Sequence, residues 1–174
     1  MYGMSGTLSA GRTDVSALAA PGLAPAEVYA TLRQEFEKAL VSPYGVHLTP
    51  ESCAKAWAEC PWPDAELRRQ VGIATVWLSR CERTRRINID IGTSYHLKHL
   101  AADWWHATRH GDGYSLNGCF VMAALRLGIK VEALTGYGWG RRDFFNPYIG
   151  IATRSVEALR RETAAAAMAG GERR

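Results

Sequence analysis

The sequence predicts a mainly α, single-domain, compact helical fold with a buried central helix and room for a small strand pair. Three observations carry this. Apolar residues make up 47% of the 174 positions, enough for one sizeable core but not for two domains. Apolar side chains recur at helical spacing through most of residues 24–163. The stretch "LNGCFVMAALRLG", residues 116–128, is apolar on every side, with only Asn117 and Arg126 strongly polar. A helix of that composition is enclosed by others.

The elements follow in order. Residues 1–23 are rich in Gly, Ser, Ala and Thr without helical period and read as a mobile N-terminal arm. Residues 24–163 are the helical domain, and residues 164–174 a fraying, basic C-terminal tail. In "APAEVYATLRQEFEKALV", Val28, Leu32, Phe36 and Leu40 share one helix face, and Ser42 to Gly45 end it. Thr49 and Pro50 mark the N-cap and first turn of the next helix, which stops at Cys60-Pro61. Asp64 is placed to cap a longer helix over about residues 65–86. There Leu67, Val71, Ala74, Leu78 and Cys81 form an apolar stripe. "INIDIGTS" reads as a short strand or an extended connector. A helix from Ser94 or Tyr95 to about Arg109 follows. Ser115 then caps the central helix, and Gly128 is the residue that ends it. "IKVEA" suggests a strand, and a last helix begins near Thr153.

The net charge is +4, and all but four of the 21 basic residues are arginine. On a helix over 65–86, Arg68, Arg69, Arg80, Arg83 and Arg86 fall within about 120° opposite the apolar stripe and span about 27 Å. Such a face can follow a nucleic-acid backbone, or it can simply be solvated. Arginine's fork suits phosphate and carboxylate alike. None of the four cysteines, Cys53, Cys60, Cys81 and Cys119, lies in a C-x-x-C pair, so neither a zinc site nor a disulfide is expected; three sit within apolar helical patterns and read as small core residues, while Cys60 lies at a helix end before Pro61. No apolar run approaches the length of a membrane span. The expectation is a cytoplasmic protein with no membrane and no cofactor.

His96, His99, His106 and His110, with Asp103, lie in one predicted helix, within an arc of about 80°. Neighbours at i and i+4 can share a metal. A single helix seldom supplies more than two ligands, and no His-Glu-x-x-His or Cys-rich partner is present. The same helix carries Lys98 and Arg109, and its His96 to Arg109 face is the better partner surface of the two helices flanking Gly111-Asp112-Gly113. The central helix lacks the row of polar side chains that reads base edges. Asn117 and Gly118 in its first turn imply the close approach of another segment. In "TGYGWGRRDFFNPYIGIA" the glycines do not match a nucleotide P-loop. Trp139, Arg141 and Arg142 are residue types enriched at binding hot spots and able to stack on bases.

The segments "SYHLKH" and "GYSLNGCFVMAALRLG" resemble a group of small proteins of phages, plasmids and other bacterial mobile elements. The shared pattern there is S-Y-x-L-K-H-x-x-E followed by G-Y-x-S-N-G-x-F-x-x-A-A-L-x-x-G. Ser94, Tyr95, Leu97, Lys98 and His99 match the first part. Gly113, Tyr114, Asn117, Gly118, Phe120, Ala123, Ala124, Leu125 and Gly128 match much of the second. Ala102 stands at the acidic position and Leu116 where serine is usual. The resemblance covers about 40 of the 174 residues and carries over no activity. It implies a mobile-element setting, in which small proteins regulate DNA or inhibit host defences such as CRISPR complexes.

The functional expectation is therefore a non-enzymatic protein that binds a nucleic acid or a host nucleoprotein complex, as an anti-CRISPR-like inhibitor does. Its contacts would come from Arg68, Arg69, Arg80, Arg83, Arg86, Lys98, His99, Asn117, Trp139, Arg141 and Arg142. Two alternatives stand beside it: a helix-turn-helix-like DNA-binding regulator, and a metal-dependent enzyme using the histidine stripe. The oligomeric state is not specified by any of these features.

Overall fold

The computed structural model describes residues 11–14, 31–109, 111–135 and 146–171. Among these, six helices surround a common core, and two small antiparallel sheets edge it. The helices are α1 (Leu32–Lys38), α2 (Pro50–Ala58), α3 (Asp64–Ser79), α4 (Ser94–Arg109), α5 (Asn117–Arg126) and α6 (Thr153–Gly171). The strands are β1 (Gly11–Asp14), β2 (Val41–Ser42), β3 (Gly45–Val46), β4 (Val131–Thr135) and β5 (Tyr148–Ile149).

The central helix is buried as its composition requires. Every residue of α5 from Asn117 to Ala124 is buried. Helix α3 packs on it most extensively, α4 lies beside both, and α6 covers α4. Trp77 of α3 meets Phe120 of α5 with ring centroids 5.9 Å apart. A second aromatic pair, Phe36 and Trp57, joins α1 to α2 edge to face at 5.5 Å. Cys53, Cys81 and Cys119 are buried free thiols, as their apolar surroundings predicted. Gly128 takes a left-handed φ of 65° just past the α5 C-cap, the conformation that glycine adopts without Cβ strain.

Several elements differ from their sequence reading, each for a local reason. Helix α1 is shorter than expected. Thr31 caps it in a capping box with Gln34, and Leu40, expected on its apolar face, has left the helix with φ 54°. Val28 lies outside the described residues. The residues expected merely to end that helix form the ladder β2–β3, with Val41 opposite Val46 and Ser42 opposite Gly45. Thr49 does cap α2, accepting from Ser52 N. Asp64 is the first residue of α3 and not its cap. Its carboxylate accepts instead from Leu32 N at 3.2 Å and from Arg68 Nε at 2.7 Å.

Helix α3 ends at Ser79, well short of residue 86. Tertiary partners capture the backbone beyond it: Thr84 N donates to Gly150 O at 2.9 Å, Ala152 N donates to Glu82 O at 2.9 Å, and Arg83 forms a β-bridge with Ile151. A satisfied backbone has no need to continue as helix. "INIDIGTS" is a connector, not a strand. Helix α5 starts at Asn117 with Leu116 as its N-cap, without a side-chain cap, so Ser115 does not serve as the cap. The strand at "IKVEA" is β4, central in a sheet of order β1–β4–β5. Gly11–Asp14, inside the stretch read as an arm, pairs antiparallel with β4, satisfying its otherwise open edge. Helix α6 runs through the alanine run to Gly171, because alanine is the strongest helix former. No helix among the described residues is long and apolar enough to cross a membrane.

Candidate functional site

The early end of α3 divides the predicted arginine face. Arg68 and Arg69 remain on α3, Arg80 is its C-cap, and Arg83 and Arg86 lie on the connector beyond. The first three are already engaged. Arg68 pairs with Asp64 at 2.7 Å, and Arg69 pairs with Glu66 at 2.7 Å while also reaching Asp112. Arg80 pairs with Glu162 at 2.6 Å and lies over the Trp104 ring at 5.2 Å. These contacts fasten α3 to the 111–116 loop and to α4 and α6. The continuous 65–86 face is therefore corrected to two separate groups.

The connector group has a different character. Arg83, Arg85 and Arg86 are exposed, and among the described residues none of them forms an ion pair. Backbone bonds to Gly150 and Ile151 hold this segment, and the Thr84 hydroxyl donates to Arg86 O at 2.6 Å. Gly150 is the hub of the packing. A Cβ placed there would lie 2.9 Å from Thr84 O, 3.2 Å from Lys130 Cβ and 3.3 Å from Arg86 O. Lys130 packs against the same glycine but pairs with Glu132 at 3.6 Å, whereas the three exposed arginines lie on a backbone held by these contacts. Arg85 escaped the sequence reading because it falls off the helical face that the wrong helix length imposed.

Lys98 is corrected from a surface contact to a buried residue. It retains only 3% of its exposure. Its ammonium lies between the rings of Tyr95 and Tyr114, 4.9 and 4.4 Å from their centroids. Among the described residues it has no carboxylate partner. Burial lowers its pKa from the usual lysine value. Its neighbour His99 is exposed, packed edge to face on Tyr95 at 4.9 Å, and its pKa is lowered by burial and by Lys98. Asn117 is buried, donating from Nδ2 to Asn146 Oδ1 at 2.9 Å and to Tyr44 O at 3.4 Å.

These contacts close a ring. Ser94 lies one turn before Lys98 on α4, and Ser94 N donates to Pro147 O at 2.7 Å. Pro147 follows Asn146, which bonds Asn117. Ser115 lies two residues before Asn117 and directly after Tyr114, which covers Lys98. Leu116 N, between them, donates to the buried Gln70 side chain at 2.7 Å. Around this ring, Ser94 Oγ, Ser115 Oγ and Asn117 Oδ1 are buried without a hydrogen-bond partner. Ser94 and Ser115 were not in the sequence-derived site, although both fall within the two quoted motif segments.

The histidine stripe is laid out along α4, but its members have other neighbours. His96 Nε2 lies 3.0 Å from Arg160 Nη2 on α6, and His99 is against Tyr95. Among the described residues no group of three or more His, Cys, Asp or Glu side chains is placed to hold a metal ion. His110 lies outside them, as do Trp139, Arg141 and Arg142. A surface cleft of about 430 Å³ opens between the start of α4 and α6, lined in part by Asp90, His96, Glu157 and Arg160. Its charges of opposite sign select no single class of ligand. No known protein family, curated protein or solved structure matches the chain.

Proposed function

We propose that this chain is a non-enzymatic binding protein that docks on a polyanion, a nucleic acid or a host nucleoprotein complex, through the Arg83–Arg86 connector. The observation that carries the reading is the exposure of Arg83, Arg85 and Arg86 without an acidic partner among the described residues, on a backbone held by Gly150 and Ile151. Arginines already committed to internal carboxylates must break those pairs to meet phosphate; these three need not. A fixed backbone also lowers the ordering cost of binding. The likeness to mobile-element proteins favours a host defence complex, CRISPR complexes included, as the nucleoprotein. Inhibiting such a complex requires complementary charge and shape but no catalytic group. Such a partner would place the protein in the cytoplasm.

The helix-turn-helix alternative draws no support from α5, because its residues 117–124 are buried and present no polar row to a groove.

The test is fluorescence anisotropy of labelled single- and double-stranded DNA with wild type, Arg83→Glu/Arg86→Glu and Arg68→Glu/Arg69→Glu. Binding that weakens steeply with salt, and is lost only in the connector variant, is expected. Absence of binding to either DNA at low salt excludes direct DNA binding. Capture of host defence nucleoprotein must then depend on Arg83 and Arg86, or the reading fails.

A further inference from the structure

We infer that the exposed aromatic face of α4, with Tyr114 beside it, is a stacking surface for the bases of a single-stranded nucleic acid, DNA or RNA. The inference rests on the polyanion reading above and names the polymer. The surface itself is distinct from the Arg83–Arg86 connector.

The face begins in the helix. At about 100° per residue, Tyr95, Lys98, His99, Trp105, His106 and Arg109 of α4 fall within an arc of about 120°. Ala102 completes that arc, so it holds aromatic and basic groups and no carboxylate. Tyr95, His99, His106 and Arg109 are exposed, and Trp105 is half-buried. The loop over residues 111–114 lies directly on the helix here. A Cβ at Gly113 would stand 2.5 Å from Trp105 Cβ and 2.8 Å from Ala102 O. That close contact fixes the next residue, Tyr114, against the same face.

Short distances tie the rings to the cations. The Lys98 ammonium lies 4.9 Å from the Tyr95 ring centroid and 4.4 Å from that of Tyr114. His99 packs on Tyr95 at 4.9 Å, and the Arg109 guanidinium is 6.0 Å from the Trp105 ring. Tyr95 and Tyr114 nevertheless remain 50% and 41% exposed. The carboxylates bordering the face are turned to other partners. Asp112 Oδ1 accepts from Tyr114 N at 2.9 Å, and its Oδ2 meets Arg69. Asp103 lines a small crevice that Arg160 of α6 also lines.

The chemistry of the partner follows. Clustered exposed aromatics mark a surface that something covers. Cations among them, with no acid in the arc, favour an anion. The partner must therefore offer planar apolar groups and negative charge side by side. A duplex hides the faces of its bases, whereas a single strand alternates unpaired bases with phosphates. Aromatic stacking beside cations is the arrangement that holds such strands with little sequence preference. The connector lies within reach. Ser94 N donates to Pro147 O at 2.7 Å, and Thr84 N donates to Gly150 O at 2.9 Å. The segment from Thr84 to Ser94 thus runs along residues 147–150, about 10 Å of extended chain. One strand can meet the arginines with its phosphates and Tyr95 and Tyr114 with its bases.

The experiment is fluorescence anisotropy of the full chain with labelled short strands of deoxythymidine or of uridine, with an abasic strand of equal length, and with duplex DNA. The base-bearing strand should bind about tenfold or more tightly than the abasic strand or the duplex. Which of the two base-bearing strands binds better separates DNA from RNA. Tyr95→Ala and Tyr114→Ala should each weaken it about fivefold or more, the low end of stacking on one base, and leave the abasic strand unaffected. Tyr95→Phe and Tyr114→Phe keep the ring and should bind as wild type does. Arg83→Glu/Arg86→Glu should weaken every strand, the abasic one included. The comparison of base-bearing with abasic strands needs no variant, so it stands should an alanine variant fail to fold. Equal affinity for those two strands, or full affinity in both alanine variants, overturns the stacking surface and leaves the connector reading intact. Absence of binding to every strand, with a host nucleoprotein still captured through Arg83 and Arg86, overturns it likewise. Loss in the tyrosine variants with none in the connector variant keeps the stacking surface and removes the connector.

Discussion

Gly118 in the first turn of α5 lies so close to Ser42 of the β2–β3 hairpin that a Cβ on it would stand 1.7 Å from the Ser42 carbonyl oxygen. Its own amide donates to Pro43 O at 2.9 Å. The central helix and the hairpin are therefore in backbone contact, and any side chain at this position forces them apart. Gly118→Ala should destabilise the fold by about 3 kcal/mol or more, at the upper end of overpacking effects, despite alanine's better helix propensity. Urea denaturation measures it; a loss under about 1 kcal/mol would mean the hairpin yields freely.

Arg126 and the buried Glu35 join α5 to α1. Arg126 Nε donates to Glu35 Oε1 at 2.7 Å, and the Nη2 donor completes a two-pronged pair. Glu35 keeps 3% of its exposure, whereas Arg126 is partly open to solvent. Arg126→Ala strands a buried carboxylate and should cost about 3 kcal/mol. Replacing both by apolar residues, Glu35→Met with Arg126→Leu, should recover most of that loss. If the double variant is as unstable as the single one, the stranded charge is not the cause.

Glu66 ties α3 to the loop that leads into α5. It accepts from Arg69 and Gln70, and Gln70 in turn accepts from Leu116 N. The Arg69 and Gln70 bonds hold its pKa at about 2, below the ordinary 4.5. A depressed carboxylate pKa contributes stability that is present above pH 4.5 and lost as pH falls toward 2. Thermal melts of wild type and Glu66→Gln should differ at pH 6, and the difference should vanish near pH 2. A difference independent of pH would assign Glu66 a packing role only.

The periodic parts of the chain were legible in the sequence. The buried α5 followed from residues 116–127 being apolar all round, and the Thr49-Pro50 start of α2 from capping chemistry. Gly118 announced the close approach that Ser42 makes. What the sequence hid are the places where tertiary partners overrule local pattern. The helical period continues to Arg86, but Gly150 and Ile151 take the backbone from Arg83 onward. Lys98 lies one position from the apolar Leu97, and lysine is so rarely buried that its burial between Tyr95 and Tyr114 has no local signal. Ser115 looks like an N-cap, and a one-residue shift in the helix start leaves its hydroxyl buried and unpaired instead.

The most direct test of the basic connector is the salt dependence of DNA binding by wild type and by Arg83→Gln/Arg85→Gln/Arg86→Gln. Each phosphate contact on duplex DNA adds about 0.9 to the slope of log K against log salt. If the three arginines each meet a phosphate, the variant's slope should be shallower by about 2.7, with weaker binding at low salt. Equal slopes and equal affinities would contradict the account and move the search to another face of the protein.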